Sequence, residues 1–369
     1  MRLDTGGSFG ICLGMETKSC GKLADGREIR CFHLSNRGGM KARILEYGGI
    51  VDSLEVPDRD GTLADVTLGM RDFPGWMENG GYFNAIIGRF AGRIDKGSFP
   101  LDGTIYQLAV NRTTDHGACH LHGGEVGLSM RVWEGEGFRE KGKEGVRLRY
   151  SSPAGEEGYP GNVELEVTYL LTDANEFHIQ MRAETDAATP LNLASHTYWN
   201  LSGDPTTTIL DHEVELAASH YLEIADSIIP TGRILEVGGT AFDFWEARPV
   251  GQRIEEDHIQ LRRGNGYDHY FVFGEGESTI RPAAVVRDPK SGRILELSTN
   301  QPGTVFYTGN FLAGPGSFKG VDHYRKHNGL CLETQGYPDA PNHPHFPSCI
   351  LRPGMIYRHD MVHRFTTDP

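Results

Sequence analysis

The clearest regularity along the chain is an alternation of apolar and polar residues with a period of two. Such alternation is typical of strands that bury one face and leave the other exposed. Short runs rich in Gly, Pro, Asn and Asp separate several of the alternating segments, and strands joined by short turns pair in antiparallel fashion. The pattern predicts strands over Gly145–Ser152, Val163–Thr172, Glu176–Thr185, His212–Ala218 and Ile294–Thr299.

Helical patterns with a period of 3.6 are scarce, and neither an internal repeat nor a Gly/Ser-rich linker divides the chain. The 48 glycines are not periodic, so we interpret them as turns between many strands. The sequence therefore predicts an all-β fold, built as one large antiparallel β-sandwich.

Composition narrows the classes of partner and the compartment. The 369 residues carry a formal net charge of −14, with 50 acids against 36 bases. That balance argues against nucleic acid, whose phosphates attract basic surfaces. No apolar run approaches the roughly 20 residues of a membrane helix, so no membrane partner is expected. The six cysteines include no CxxC pair, and their scatter favours a reducing compartment. We therefore predict a cytoplasmic protein.

One carboxylate stands out inside an apolar segment, "GLCLETQ" (Gly329–Gln335). On a strand, Cys331 and Glu333 would share one face, and Leu330 and Leu332 the other. A carboxyl group held in a partly desolvated pocket has a raised pKa, which suits it to proton transfer near neutral pH. The alternative is that Glu333 is a solvent-facing or salt-bridged residue on an edge strand.

Two histidine-bearing segments also attract attention. "PLNLASHTYWNLSG" places His196 among hydrogen-bonding and aromatic residues, where it is either a functional group or a satisfied core histidine. "HLHGG" carries His120 and His122 two residues apart, so on a strand both would face the same way and invite a metal. Against the metal, Glu125 follows His122 too closely to complete a ligand set.

Two further segments carry side chains suited to a polyhydroxylated ligand. "GRFAGRI" supplies Arg93 and "GYDHYFV" supplies Asp268. A carboxylate accepts hydrogen bonds from hydroxyl groups, and a guanidinium donates several N–H groups to hydroxyl oxygens. Each segment alone is a weak signal.

Taken in order, these segments resemble the aldose 1-epimerase (galactose mutarotase) family. The resemblance covers nearly the whole chain from about residue 20, so we predict one domain over residues 21–369 and a peripheral or poorly ordered N-terminal extension over residues 1–20. It rests on "ILEYGGIVDSLEVPDRDG", "GRFAGRI", "HLHGG", "EEGYPGN", "PLNLASHTYWNLSG", "IIPTGRI", "GTAFDF", "GYDHYFV", "QPGTVFYTGNF", "CLETQGYPDAPN" and "ILRPGMIYRH".

The resemblance implies a galactose mutarotase-like supersandwich with a sugar cleft on one concave sheet face. It implies that Glu333 is the general base and His196 the general acid. It also implies that Arg93, His122 and Asp268 bind the sugar.

The activity so implied interconverts the α and β anomers of a free aldose of the glucose or galactose type, by acid–base opening and closure of the ring. The reaction needs no redox change, so no cofactor and no metal are expected. The expected partner is a small-molecule sugar, and the protein is expected to be a monomer or a homodimer.

The sequence departs from the family pattern at two positions in the expected cleft. Many members carry Asn where this chain has Gly92, and Gln where it has Val305. These departures leave the preferred aldose open. Three other interpretations also stay open: a hexose-phosphate mutarotase, a non-catalytic sugar-binding protein on the same fold, and a metal-dependent enzyme that uses His120 and His122.

Overall fold

The fold was analysed in a computed structural model, which describes residues 16–274, 279–313 and 316–368. The helices of this part of the chain are short: α1 (Phe73–Met77), α2 (Ile259–Gly264) and 3-10 turns at Leu128–Met130, Glu156–Gly158, Val250–Gln252 and Ala340–Asn342. None of the helices described is long and apolar enough to cross a membrane. Its strands are β1 (Thr17–Lys22), β2 (Glu28–Ser35), β3 (Lys41–Leu45), β4 (Val51–Pro57), β5 (Leu63–Asp65), β6 (Ile86–Ile87), β7 (Arg93–Asp95), β8 (Ser98–Leu101), β9 (Thr104–Gln107), β10 (Arg112–Thr114), β11 (Gly117–Leu121), β12 (Glu134–Glu140), β13 (Lys143–Ser152), β14 (Val163–Thr172), β15 (Glu176–Thr185), β16 (Thr189–Pro190), β17 (Ala194–Ser195), β18 (Tyr198–Trp199), β19 (Glu213–Leu216), β20 (His220–Ile224), β21 (Pro230–Glu236), β22 (Arg248–Pro249), β23 (Asp268–Val272), β24 (Arg281–Arg287), β25 (Arg293–Thr299), β26 (Gly303–Tyr307), β27 (Leu330–Gln335), β28 (Ile350–Leu351) and β29 (Tyr357–Thr367).

The predicted all-β, antiparallel architecture is confirmed. The five segments predicted from alternation are strands β13, β14, β15, β19 and β25. The fourth is shorter than predicted, because regular pairing in β19 covers only Glu213–Leu216. Alternate residues of β15 are buried from Phe177 to Ala183, as expected for a strand with one face on the core.

Two large sheets face each other. One has nine strands in the order β12-β13-β14-β15-β29-β25-β24-β19-β22, and the other has six in the order β18-β27-β26-β23-β20-β21. Buried apolar side chains from both, such as Val167 and Tyr169 of β14 and Phe306 and Leu332 of the smaller sheet, belong to one core cluster. The six-stranded sheet therefore buries one face in the sandwich and leaves its other face for a site.

Strand β29 lies in the middle of the nine-stranded sheet. It pairs with β15 along one edge and with β25 along the other. Met361 and Phe365 of β29 enter the central core. Across the core, a buried hydrogen bond of 2.8 Å joins His359 Nε2 of β29 to Thr334 Oγ1 of β27. The strand that carries Glu333 is thus tied to the centre of the opposite sheet.

Strands β1 to β5 form a separate five-stranded sheet. Residues 1–15 of the predicted N-terminal extension lie outside the described residues. The remainder enters β1, where Thr17 pairs with Phe32 of β2. The division of the chain at residue 20 stays a prediction.

Candidate active site

Strand β27 divides its side chains between the core and a cavity, as its alternation predicted. Leu330 and Leu332 point into the core between the two large sheets. Cys331 and Glu333 point the opposite way, and Glu333 lines a cavity of about 990 Å³. The expectation that these four residues divide between two faces is confirmed. Strand β27 is an inner strand between β18, which pairs with Leu330 and Cys331, and β26. Glu333 does not face solvent, because it is buried.

The register of the six-stranded sheet places the other residues of the cavity floor. Residues directly opposite each other in an antiparallel pair project to the same face. Glu333 stands opposite Val305 of β26, and Val305 opposite Tyr270 of β23. Two residues before Glu333 on the same strand, Cys331 stands opposite Tyr307, and Tyr307 stands opposite Asp268. Asp268 and Glu333 therefore arise from strands separated by β26 and still share one floor.

The walls of the cavity come from loops and short strands on both sides of the floor strands in sequence and from loops between them. All five residues expected in the site, Arg93, His122, His196, Asp268 and Glu333, line this one cavity. Pro338, at the start of the Pro-rich segment after β27, also lines it.

His122 reaches the cavity by leaving strand geometry. Strand β11 ends at Leu121, and His122 has a left-handed φ of 51°. The backbone N–H of Gly92 donates to His122 Nδ1 at 3.2 Å. Only glycine fits at Gly123, since a Cβ there would lie 1.7 Å from the carbonyl oxygen of Gly88.

The expectation that His120 and His122 face the same way is wrong, because the strand ends between them. His120 is fully buried, and its two ring nitrogens contact the carbonyl of Ala109 and the hydroxyl of Tyr159, each at 2.7 Å. His120 is therefore a satisfied core histidine and is not available to a metal.

His196 and Glu333 form the central pair of the cavity. His196 Nε2 lies 3.6 Å from Glu333 Oε1, and the residues are 5% and 3% exposed. The backbone around His196 is fixed, because its N–H donates to Ala85 at 3.0 Å and its carbonyl accepts from Asn84 at 3.0 Å. Glu333 Oε2 is buried and contacts no donor among the described residues. The pair is thus rigidly held and has a free acceptor.

Burial sets the protonation of this pair. Desolvation, reinforced by the negative charge of Asp268 and opposed by Arg93, raises the pKa of Glu333 to about 8. Desolvation lowers the pKa of His196 to about 4. Near neutral pH the pair therefore holds one titrating proton, and it resides on Glu333. A carboxyl group with such a pKa can release and recover a proton near neutrality.

A second pair of opposite charge lies beside the first. Arg93 and Asp268 approach to 4.0 Å between a guanidinium nitrogen and a carboxylate oxygen. Burial raises the pKa of Asp268, and Arg93 opposes that rise. Together they present donors and acceptors to a ligand that carries several hydroxyl groups.

Three donor atoms in the cavity could meet a metal ion. His122, His196 and Glu333 each offer one, and these atoms lie within 4.8 Å of one another. A single ion with bond lengths of about 2.0–2.2 Å can bind two donor atoms only if those atoms lie no more than about 4.4 Å apart, which is twice the longer bond. The same three groups also form a constellation suited to proton transfer to and from a bound molecule.

Several cavity residues were not assigned from sequence. Tyr82 packs edge-on against His122, with ring centroids 4.8 Å apart, and lies 6.1 Å from the ring of His196. Tyr307 and Arg112 also line the cavity. Tyr307 could have been found, because it lies two residues after Val305 on the same strand face. No local pattern distinguishes Tyr82, which has a positive φ and belongs to a loop.

Comparison with known proteins identifies the family of the chain that carries these residues. A family model described as aldose 1-epimerase matches residues 30–364. The chain belongs to the aldose 1-epimerase family. It is an isomerase that interconverts the anomers of an aldose, and its substrate is a sugar.

Relatives within this family match most of the chain. It is 42% identical to galactose mutarotase of Bos taurus over 327 residues, which cover 89% of this chain and 91% of the relative. It is 41% identical to human galactose mutarotase with the same coverage of 89% and 91%. It is 33% identical to aldose 1-epimerase of Escherichia coli (strain K12) over 335 residues, covering 90% and 94%.

Solved structures of epimerases have the same fold. The galactose 1-epimerase from Lactobacillus acidophilus NCFM superposes with a TM-score of 0.83 at 27% identity, covering 96% of this chain and 100% of that one. An aldose epimerase homologue from C. elegans gives a TM-score of 0.81 at 28% identity, covering 92% and 99%. The supersandwich implied by the sequence resemblance is therefore confirmed.

Proposed function

We propose that Glu333 is the general base and His196 the general acid of the epimerase reaction. The observation that carries this proposal is the 3.6 Å separation of His196 Nε2 and Glu333 Oε1 in one cavity. An acid and a base so close can address two oxygens bonded to the same carbon, the C1 hydroxyl and the ring oxygen of a pyranose. Each of the two groups contributes roughly 10²–10⁴-fold to the rate.

The reaction balances with these two groups alone. The reaction starts from the less populated form of the pair, in which the one proton has moved from Glu333 to His196, so that Glu333 is a carboxylate and His196 an imidazolium. The Glu333 carboxylate removes the proton of the C1 hydroxyl, and the electron pair of that O–H bond forms the aldehyde carbonyl. The bond between C1 and the ring oxygen breaks, and its electron pair takes a proton from His196. Rotation about C1–C2 presents the other face of the aldehyde, and closure returns both protons with the roles reversed.

Arg93, His122 and Asp268 are proposed to hold the sugar against this pair. Asp268 accepts hydrogen bonds from hydroxyl groups, whereas Arg93 and His122 offer guanidinium and ring nitrogens. Their fixed backbone positions around a single floor support this role, because a misplacement of about 1 Å can cost about 10²-fold in rate.

The proposed substrate is a free hexose of the glucose or galactose type. The relatives at 41% and 42% identity are named galactose mutarotases. This chain presents only backbone at Gly92, where φ is +80° and a Cβ would lie 3.2 Å from Pro338. The side chain of Val305 offers no hydrogen bond. Two polar contacts, each worth about 0.5–1.5 kcal/mol, are thus replaced, so discrimination among aldoses is expected to be weak at the hydroxyls that face these positions.

Polarimetry on freshly dissolved sugars tests the proposed substrate. We expect the protein to accelerate the mutarotation of α-D-glucose and α-D-galactose well above the rate in buffer, and that of a pentose more weakly. A protein heated until unfolded is the control for buffer catalysis. Acceleration of none of these sugars would contradict the proposal.

The hexose-phosphate alternative is not favoured by the charges of the cavity. Four arginines line it: Arg93, Arg112, Arg262 and Arg263. Three already face carboxylates, since Arg93 approaches Asp268, Arg262 pairs with Asp257 and Arg263 pairs with Asp226. A phosphate would compete with these partners. Unchanged rates for glucose in excess glucose 6-phosphate would agree with this interpretation.

The pH dependence of kcat/KM is expected to be bell-shaped, with limbs near the two pKa values. Below about pH 4 the pair gains a second proton and the base is lost, and above about pH 8 it loses its last proton and the acid is lost. Asp268→Asn removes the charge that raises the pKa of Glu333, so the alkaline limb should move to lower pH. Arg93→Gln should move it to higher pH. If the alkaline limb moved in the same direction in Asp268→Asn and in Arg93→Gln, the assignment of this limb to Glu333 would be contradicted.

Val305→Gln is expected to add a polar contact on the cavity floor. Val305 stands opposite Glu333, so the new amide would reach a sugar bound above that carboxylate. We expect KM for galactose to fall about 2–10-fold, with kcat nearly unchanged, because one hydrogen bond is worth about 0.5–1.5 kcal/mol. Val305→Leu is the matched apolar control. An equal fall in KM with leucine would show that shape, and not hydrogen bonding, governs the position.

We propose a monomer or a homodimer, since one chain supplies all five proposed site residues to one cavity. The five cysteines of the described chain are free, which supports a reducing compartment such as the cytoplasm.

A further inference from the structure

The backbone of Gly92 binds both the main chain and the ring of His122. Strand β11 pairs with β7 as far as Leu121, which stands opposite Arg93. One residue further, the N–H of His122 donates to the carbonyl of Gly92 at 3.0 Å. In return, the N–H of Gly92 donates to His122 Nδ1 at 3.2 Å. The side chain of His122 is therefore held at one of its two nitrogens.

This contact decides where the ring of His122 carries its proton. A backbone N–H can only donate, so Nδ1 accepts through its lone pair and has no proton while the bond exists. The tautomer of a histidine is set by the hydrogen bond that its other nitrogen makes, so the proton of the neutral ring lies on Nε2. Burial, reinforced by His196 and Arg93, lowers the pKa of His122 well below its usual value and keeps the ring neutral. Because His122 lines the cavity, Nε2–H is the group left for a ligand.

One amide side chain, that of Asn111, holds the segment that carries His122. Asn111 Oδ1 accepts from the N–H of Leu121 at 2.7 Å, and Nδ2 donates to the carbonyls of Leu121 at 2.9 Å and of Gly124 at 2.8 Å. The amide thus bonds the backbone on both sides of His122. Its orientation is determined, because exchanging the oxygen and the nitrogen would place the oxygen against two carbonyl oxygens.

His122 needs such support because of its backbone conformation. Its φ of 51° lies in the left-handed region, which residues with a side chain adopt only where the surrounding structure holds them. Without the amide of Asn111, the backbone from Leu121 to Gly124 would lose three hydrogen bonds. The ring could then leave the N–H of Gly92, and its proton would no longer be confined to Nε2.

We propose that Asn111 is a positioning residue for His122: it holds the ring against the N–H of Gly92, so that His122 presents Nε2–H to the sugar as a hydrogen-bond donor. The inference rests on the proposed role of His122 in binding the sugar. The sugar oxygen that meets Nε2 then acts as an acceptor, and the proton of that hydroxyl group is directed to another partner.

The bond from Gly92 also separates the roles of the two histidines in the cavity. A second proton on His122 would have to enter at Nδ1 and would break this bond, so the ring resists becoming an imidazolium. The ring nitrogens of His196 lie 3.6 Å from Cys331 Sγ and from Glu333 Oε1, and no backbone N–H of another described residue donates to them. His196 is therefore the histidine that can accept a second proton and serve as the acid.

The test combines measurements of KM and kcat with ring ¹⁵N spectra of protein labelled at histidine. The variants are Asn111→Ala, His122→Phe and the double variant, and the signals lost in His122→Phe are those of His122. Asn36→Ala is the matched control, because the side chain of Asn36 also makes three hydrogen bonds and does not line the cavity.

We expect the Nε2–H tautomer of His122 in wild type and in Asn36→Ala, and a mixture of tautomers in Asn111→Ala. We expect KM for galactose to rise about 2–10-fold in Asn111→Ala, as for the loss of one hydrogen bond, with kcat within about threefold of wild type. In the His122→Phe background the same substitution should leave KM unchanged, because Asn111 acts through that ring.

An Nδ1–H tautomer or an imidazolium of His122 in wild type at pH 7 overturns the proposal. A pure Nε2–H tautomer or an unchanged KM in Asn111→Ala overturns it too, and so does an equal rise of KM in both backgrounds. If Asn111→Ala does not fold, Asn111→Asp replaces it with the same expectations, since it keeps the acceptor for Leu121 and turns an oxygen toward the two carbonyls. Failure of the proposed sugar contact would be seen separately, as an unchanged KM in His122→Phe, because the spectra report the tautomer without any sugar.

Discussion

Replacing Glu333 by glutamine is expected to lower kcat for anomer interconversion by about 10³-fold, with little change in KM. The amide has the shape of the carboxyl group but cannot accept the proton of the C1 hydroxyl. The site is otherwise preserved, because Glu333 contacts His196 through Oε1 and its Oε2 has no partner in the described part of the chain. Polarimetry with glucose or galactose measures the loss directly.

Two further variants make this result specific. Glu296→Gln, at a half-exposed residue of β25 that pairs with Arg364, is the matched control and should keep full activity. Glu333→Asp retains a carboxylate but withdraws it by about one bond length, which should still cost about 10²-fold. A near-normal kcat in Glu333→Gln would contradict the assignment of Glu333 as the general base.

Glu333→Gln is also expected to be more stable than wild type, by a free energy of unfolding that grows as pH rises. In the folded state the pKa of Glu333 is about 8, against 4.5 in the unfolded chain. Because the folded pKa is raised, the folded state binds the proton more tightly, and stability present below about pH 4.5 is lost progressively up to about pH 8. One pKa unit corresponds to about 1.4 kcal/mol, so wild type should lose about 3 kcal/mol between about pH 5 and pH 8 from this group.

Urea denaturation at several pH values measures this effect. Glutamine does not titrate, so Glu333→Gln should lack that part of the pH dependence and should exceed wild type in stability most clearly near pH 8. Titrating groups far from Glu333 act alike in both proteins and cancel in the difference, whereas Asp268, whose charge interacts with Glu333, also contributes to it. Two stability curves that run parallel from pH 5 to pH 8 would show that Glu333 is not strongly desolvated.

Much of the fold was accessible from the sequence because its strands alternate visibly. The period of two in β15 and β27 predicts both the strand and its buried face, and in β27 it correctly assigns Glu333 and Leu332 to opposite faces. Alternation indicates which side of a strand faces the core. In β27 the opposite side faces the cavity, but alternation does not indicate that this side of the sheet is concave, because the concavity depends on distant loops.

The positions of site residues on strands could be predicted from the sequence, whereas the positions of site residues on loops were harder to predict. The prediction from "HLHGG" was wrong because a left-handed residue at His122 ends the strand, and nothing in the two-residue spacing of His120 and His122 signals that break. Tyr82 was missed for a related reason, since its position follows from packing against His122 and not from a local pattern. Assigning roles to Arg93 and Asp268 needed the family resemblance, because each is an ordinary charged residue in its own segment.

The central position of β29 has a consequence for how the enzyme is made. Strands β13, β14 and β15 can pair as successive hairpins while the chain leaves the ribosome, but the two halves of the nine-stranded sheet meet only through β29, which follows every other described strand. The sandwich that supports β27, and the hydrogen bond between His359 and Thr334, can form only after β29 has been synthesised. A nascent chain therefore exposes the apolar faces of both half-sheets until synthesis has passed residue 367, and that interval is when chaperones would be most needed.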